Sequence, residues 1–221
     1  MICIPIMARD SAGAIKKMTE AASLADMMEI RLDVMESFDL KEIIRAAAKP
    51  VIVTYRSKKE GGKGLARYET RVRHLIAAIE AGADFVDVEF SMPQIYRQEI
   101  FKTAGSSRVI VSKHFSSNTP PKDRIEQTFR KMSATGADIV KIVTYAMEPE
   151  DNLRVLGLIP LARRLGVRII AFCMGRSGRI SRIFTLVMGG YLSFASLEEG
   201  QESASGQIPA REMRKMIEML S

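Results

Sequence analysis

Eight short apolar runs recur along the chain, and between them lie segments with helical spacing. This alternation restricts the fold more than any other feature. The runs are "CIPIMA" (3–8), "MMEIRLDV" (27–34), "PVIVTYR" (50–56), "DFVDVEF" (84–90), "RVIVSKHF" (108–115), "DIVKIVTYA" (138–146), "RIIAFCMG" (168–175) and "YLSFAS" (191–196). They are too short for ordinary helices and rich in Val, Ile and Phe, as strands are. Segment 11–25 carries Ile15, Met18, Ala22 and Ala25 on one stripe, and 69–82 carries Val72, Leu75, Ile76 and Ile79. Segment 123–136 places Ile125, Phe129 and Met132 together, and 150–166 reads as one helix. The last three end on Gly82, Gly136 and Gly166, a residue suited to leaving a helix. Strands alternating with helices predict a parallel sheet. Eight of them in 221 residues predict a single-domain α/β protein, a (β/α)8 TIM barrel over 1–221. The alternative, an open doubly wound sheet, would carry a Gly-rich phosphate loop after its first strand, where this chain has "MARDSAGA".

Net charge is +7, from 33 basic and 26 acidic residues, which suits a small anionic substrate. The basic residues are scattered, aromatics are 6% and there is no Trp, so no nucleic-acid partner is expected. Cys3 and Cys173 both fall in apolar runs, which predicts a reducing, cytoplasmic setting rather than a disulfide scaffold. No apolar run approaches 18 residues and "MICIPIMARD" lacks the pattern of a signal peptide, so neither a membrane span nor export is expected.

In a barrel of this kind, sites are built where strands end. Strand two carries Glu29, Arg31 and Asp33 in alternation, which places them on one face. Strand three ends in Arg56, followed by "SKKEGG" with Glu60. Strand four holds Asp87 and Glu89, strand five ends in His114, and strand six carries Lys141 in the middle of an apolar run. "MGRSGRISR", with Arg182, follows strand seven, and "EEGQESASGQIP" follows strand eight. Any one of these has a plain structural explanation, such as an ion pair between Asp87 and Lys141. His74, on a helix, is read as structural. Convergence is what points to a site, because a barrel interior normally fills with aliphatic residues and buried charges are costly unless they bind something. Carboxylates and a histidine could hold a metal. The same mouth, however, carries Arg31, Arg56, Lys141 and Arg182, which oppose a cation, so no metal and no cofactor are expected.

Without them, the chemistry that best suits a buried lysine is nucleophilic. Burial and the neighbouring cations Arg31 and Arg182 are expected to favour the neutral amine, which attacks a carbonyl. The resulting iminium acidifies the adjacent C–H. His114, the one histidine at a strand end, is the candidate base, and Glu60 the carboxylate that orients it. Arginines would hold an anionic group on the substrate.

The ordered set "EIRLD", "YRSKKEGG", "VDVEF", "SKHF" with a following "TP", "DIVKI", "MGRSGRISR" and "SASGQIP" resembles the type I 3-dehydroquinase family over essentially the whole chain. The resemblance implies a cofactor-free hydro-lyase that dehydrates 3-dehydroquinate through a Schiff base in the shikimate pathway. On that reading Lys141 forms the imine, His114 is the general base and acid, and Glu60 positions it. Glu29, Arg31 and Arg56 bind the substrate, Arg182 clamps its carboxylate, Met174 packs on the ring, and Ser203 and Gln207 belong to a closing loop. A homodimer is implied as well. Two positions depart from the family pattern. Ser205 stands where a proline is frequent in the closing loop, which would loosen it. Pro5 stands where a serine often contacts substrate. A class I aldolase on the same fold is the alternative, since it too needs a lysine on strand six.

Overall fold

The computed structural model describes residues 1–220. Its strands are β1 (Ile2–Ile6), β2 (Met27–Arg31), β3 (Val51–Thr54), β4 (Phe85–Glu89), β5 (Arg108–His114), β6 (Ile139–Tyr145), β7 (Ile169–Met174) and β8 (Ser193–Phe194). They form one parallel sheet in the order β7-β6-β5-β4-β3-β2-β1-β8. The two ends of that order approach each other where the Tyr191 amide donates to the Ile169 carbonyl at 2.7 Å. The result is the nearly closed (β/α)8 barrel that the alternation of runs predicts.

The helices are α1 (Ser11–Ala21), α2 (Leu40–Arg45), α3 (Tyr68–Glu80), α4 (Gln94–Thr103), α5 (Lys122–Ser133), α6 (Asp151–Leu156), α7 (Leu158–Arg164), α8 (Arg179–Val187) and α9 (Ala210–Leu220). α5 buries the expected Ile125, Phe129 and Met132. Elsewhere the sequence reading is corrected. α1 buries Ala14, Met18 and Ala21, a face one residue away from the expected stripe. α3 buries Arg71, Val72, Leu75 and Ala78, so its inner face takes an arginine and leaves Ile76 and Ile79 half-buried. Segment 150–166 is two helices broken at Gly157, because Pro160 has no N–H to give the Leu156 carbonyl. Asp33 does not continue strand two, since the chain turns into a 3-10 turn over Leu32–Val34. β8 is two residues long, not six.

Period-two alternation explains what lies inside the barrel. Met27, Ile52, Phe85, Ile110, Ile139 and Ile170 form an apolar plug with Cys3 and Leu192. Two residues further along their strands come Glu29, Thr54, Asp87, Ser112, Lys141 and Phe172, and all are buried. Two further again come Arg31, Arg56, Glu89, His114, Val143 and Met174. The alternate positions, such as Val53, Val88, Val111, Val140 and Ile142, join the separate core between barrel and helices. The barrel is therefore aliphatic at its base and ionic above it. Lys141 points inward, with Ile139 and Val143 in the inner cluster and Val140 and Ile142 in the outer one. His74, read as structural, stacks on Tyr55 and meets Phe38 edge-on.

Candidate active site

The Lys141 ammonium lies 2.9 Å from Asp87 Oδ2, 3.4 Å from Glu29 Oε1 and 4.2 Å from the centre of the Phe194 ring. The sequence reading places Arg31 and Arg182 beside this amine, and the structure corrects it. Arg31 donates to both oxygens of Asp33 at 2.8 Å, and Arg182 donates to the Phe194 and Ser205 carbonyls. The reason is register. β4 places Asp87 two residues beyond the buried Phe85, on the inner face, whereas Arg31 is the last residue of its strand and follows the turn to Asp33. Asp87 titrates well below an ordinary carboxylate. Burial alone would raise it, but the charges of Arg56 and Lys141 and the Ser112 hydroxyl overcome that.

Arg56 lies at the centre of the ionic layer. Its guanidinium is 2.7 Å from Asp87, 3.2 Å from Glu89 and 3.9 Å from Glu60, and it donates to Ser112 Oγ at 2.9 Å. Burial opposes its charge, but these carboxylates outweigh that and hold it above the usual arginine range. Arg71 reaches in from α3 to close on Glu89 at 2.7 Å.

Glu60 sits in the 3-10 turn Lys58–Glu60, in a loop folded back on the end of β3. The Gly62 amide donates to the Ser57 carbonyl, and a Cβ at Gly62 would lie 2.3 Å from the Arg56 carbonyl, so the fold-back admits only glycine there. Glu60 Oε2 accepts from the His114 backbone N–H at 3.0 Å and meets His114 Nδ1 at 3.2 Å. An ionised carboxylate only accepts, so Nδ1 carries the proton and Nε2 keeps a free lone pair. Burial, then the Arg56 charge, lowers His114 to about 4. Glu60 falls to about 2; burial opposes this, and the His114 hydrogen bond and charge and the Arg56 charge prevail. His114 is thus neutral and Glu60 ionised across the physiological range.

A stability prediction follows from these two groups. Both folded values are depressed, so the stability they contribute is complete above the unfolded values and is lost as pH falls. For His114 the window runs from the ordinary 6.5 down to about 4. For Glu60 it runs from 4.5 down to about 2. We expect urea-unfolding free energy to fall by roughly 2–3 kcal/mol between pH 6.5 and pH 4 from His114. The 15N-imidazole signal of His114 should titrate near pH 4. A His114 midpoint near 6.5 would contradict the burial argument.

Arg182, on α8, is 1% exposed and has no carboxylate partner among the described residues. It donates to the Phe194 carbonyl at 3.3 Å and to the Ser205 carbonyl at 3.1 Å, and lies 4.7 Å from the Phe172 ring. Its Nε has no partner, and burial lowers the group to about 9. A buried cation in that state asks for an anion. The loop carrying Ser203 and Gln207 lies over it. Gln207 Oε1 accepts from the Ser203 amide at 2.7 Å. The Ser205 carbonyl accepts from the Gly175 amide at 3.1 Å as well as from Arg182, contacts that a proline there would also make.

One pocket is lined by all ten candidate residues: Lys141, His114, Glu60, Glu29, Arg31, Arg56, Met174, Arg182, Ser203 and Gln207. It adds Phe172, Phe194 and Pro5, which the sequence reading did not count as site residues. The reading also brought Asp87 and Glu89 to the mouth without a role in the site, and left Ser112 and Arg71 out. The first three have a signal in the period-two count of their strands. Arg71 has none, because it lies on a helix beside an apolar stripe.

The model of the family "Type I 3-dehydroquinase" matches residues 2–221. A protein of Methanococcus maripaludis named 3-dehydroquinate dehydratase is 34% identical over 226 residues, covering 100% of both chains. One of Pyrococcus abyssi with the same name is 37% identical over 221 residues, covering 100% of this chain and 98% of the other. Among solved structures, the type I 3-dehydroquinate dehydratase of Clostridium difficile, with covalently modified comenic acid, aligns with a TM-score of 0.88 at 27% identity, over 99% of this chain and 91% of that one. With a matching family model over all but its first residue and full-length relatives above 30% identity, this chain belongs to the type I 3-dehydroquinase family.

Proposed function

We propose that the chain is a 3-dehydroquinate dehydratase that works through an imine on Lys141. The observation that carries the reading is the content of one pocket. It holds an amine, a neutral imidazole backed by a carboxylate, and a buried guanidinium with no anionic partner. These match the ketone, the acidic C–H and the carboxylate of the substrate that the relatives' names give.

In this mechanism Arg182, with the Gln207 side-chain amide and Ser203, binds the substrate carboxylate beneath the loop. Glu29, Arg31 and Arg56 meet its hydroxyls, and Met174 packs on the ring. Lys141 Nζ gives up a proton and adds to the ketone carbon, with Glu29 and Asp87 within reach of that proton. The carbinolamine loses water to form an iminium. His114 Nε2 removes the adjacent proton, and the electron pair of that C–H bond flows into the iminium to give an enamine. The enamine expels the β-hydroxyl, which takes a proton from His114, and hydrolysis of the new iminium frees Lys141. Glu60 stabilises the transient imidazolium.

A cytoplasmic setting is supported by the two buried free cysteines. A homodimer is supported by the apolar residues that α8 and α9 leave in solvent: Ile180, Phe184, Val187, Met216 and Met219.

Borohydride added with dehydroquinate is expected to leave a mass increment on the Lys141 peptide, and sugar phosphates are expected to leave none. His114→Ala should lower turnover by about 10²–10⁴-fold while still allowing the adduct. A folded, active sample that gives no adduct would sink the imine. Near-normal turnover in His114→Ala would place the base elsewhere.

A further inference from the structure

Glu60 meets a different set of partners at each oxygen. Oε2 serves His114, through its backbone amide and its ring. Oε1 accepts from Ser91 Oγ at 2.6 Å and lies 3.0 Å from Lys113 Nζ. Ser91 follows β4, and Lys113 precedes His114 on β5. Alternation therefore turns Lys113 away from the barrel interior while His114 faces it. Lys113 comes back over the rim, its side chain 23% exposed, with its amine 5.8 Å from the Phe115 ring. Neither Ser91 nor Lys113 lines the pocket.

We propose that Lys113 and Ser91 are positioning residues for the His114 base: together they occupy one oxygen of Glu60 and so commit the other to the imidazole. Without them the carboxylate could rotate towards Arg56, whose NH1 lies 3.9 Å from Oε2 and would compete for it. The pair also divides two tasks. Ser91 supplies direction through a short hydrogen bond from an uncharged hydroxyl. Lys113 supplies charge, so that the dyad together with its holder is net positive when the imidazole is protonated and neutral when it is not. That bias favours the neutral imidazole, the form a base needs. The other charged groups that face His114 are Arg56 at the end of β3, Lys141 on β6, Asp87 on β4 and Glu60 itself. Lys113 is the one that reaches this cluster from the solvent side.

The inference rests on the dehydratase reading only for its kinetic arm, because the chain has two histidines and each can be followed by 15N NMR without turnover. In Lys113→Met we expect the His114 midpoint to rise by about one unit, since a cation that opposed the imidazolium is gone. The His74 midpoint should stay where it is. We expect kcat with dehydroquinate to fall about tenfold with KM within about twofold, because no substrate contact is lost. Lys113→Arg should restore both quantities. Ser91→Ala, which removes no charge but frees Glu60 to turn from the imidazole, should lower kcat several-fold with no rise in the His114 midpoint, and it serves if Lys113→Met does not fold. A His114 midpoint and kcat in Lys113→Met equal to those of the parent chain would overturn the proposal. So would a Lys113→Arg variant as impaired as Lys113→Met, since charge would then not be what Lys113 contributes. If the parent chain does not turn over dehydroquinate, the dehydratase reading fails, and the His114 midpoints still decide the positioning claim.

Discussion

Lys141→Met is expected to lower dehydroquinate turnover on the order of 10⁵–10⁶-fold, the scale of removing a covalent nucleophile. It is also expected to abolish the borohydride adduct. No other lysine lines the pocket, so no second amine can take over. The variant should still fold. Asp87 keeps Arg56 at 2.7 Å and the Ser112 hydroxyl at 2.5 Å, and Glu29 keeps the Thr54 hydroxyl at 2.9 Å. Methionine fills a similar volume beside Phe194 and the aliphatic plug. The stability cost should therefore stay below the roughly 3–5 kcal/mol of a buried pair broken outright, because both carboxylates keep other partners. Circular dichroism and a thermal scan establish the fold, and the absorbance of the enone product reads the rate. Turnover within tenfold of the parent chain, or an adduct on another lysine, would rule out Lys141 as the imine-forming residue.

Much of this site is visible in the sequence because a barrel strand writes its inner face at every second residue. Lys141 two residues after Ile139, Asp87 two after Phe85 and Glu29 two after Met27 repeat one step from apolar plug to ionic layer. Three alternate strands, β2, β4 and β6, with the same step amount to a statement about depth in the barrel. What the chain does not write locally is which charges meet. That depends on the stagger between strands and on loops that fold back. Lys141 therefore meets Asp87, the ion pair that the plain structural reading allows, and not the arginines that the nucleophilic reading sets beside it. Helical residues are harder still. Arg71 is 4% exposed and bound to Glu89, yet it sits one position from Val72 with nothing in its neighbours to mark it as inward. The same limit hides Ser91 and Lys113. Each is an ordinary polar residue beside a motif, and only the fold-back of the Lys58–Glu60 turn brings a carboxylate to them. The eighth strand was overextended for a related reason. Its run of six reads as a strand by composition, but only Ser193 and Phe194 pair with β1, opposite Ile2 and Cys3.

Arg56→Met is expected to be the most destabilising single change in the ionic layer, by about 3–5 kcal/mol at pH 7. For a chain of this size that corresponds to a thermal midpoint lower by about 10 °C. The connected charges are balanced: Arg56, Arg71, Lys141 and the partly exposed Lys113 stand against Glu29, Glu60, Asp87 and Glu89. Arg56 is the member that touches three of those carboxylates, so its loss leaves one negative charge in excess among side chains at most 5% exposed. Each carboxylate keeps some partner: Lys141 for Asp87, Arg71 and the Ser57 amide for Glu89, and Lys113 and Ser91 for Glu60. The penalty is therefore electrostatic excess rather than lost packing, and it carries a pH signature. Asp87 is depressed in the folded chain; burial alone would raise it, and Arg56 contributes most to reversing that. A depressed carboxylate gives stability that is present above its unfolded value, about 4, and that fades as pH falls. The gap between the parent chain and Arg56→Met should accordingly be widest at neutral pH and narrow below about pH 4, where Asp87 in the variant takes up the proton that relieves the excess charge. Arg56→Lys, which keeps the charge but not the forked geometry, should fall between the two. Denaturant melts of the three chains at pH 7 and pH 3.5 measure this directly. A gap that stays constant across that range would mean that Arg56 acts by filling space and making neutral hydrogen bonds, not by balancing the buried carboxylates.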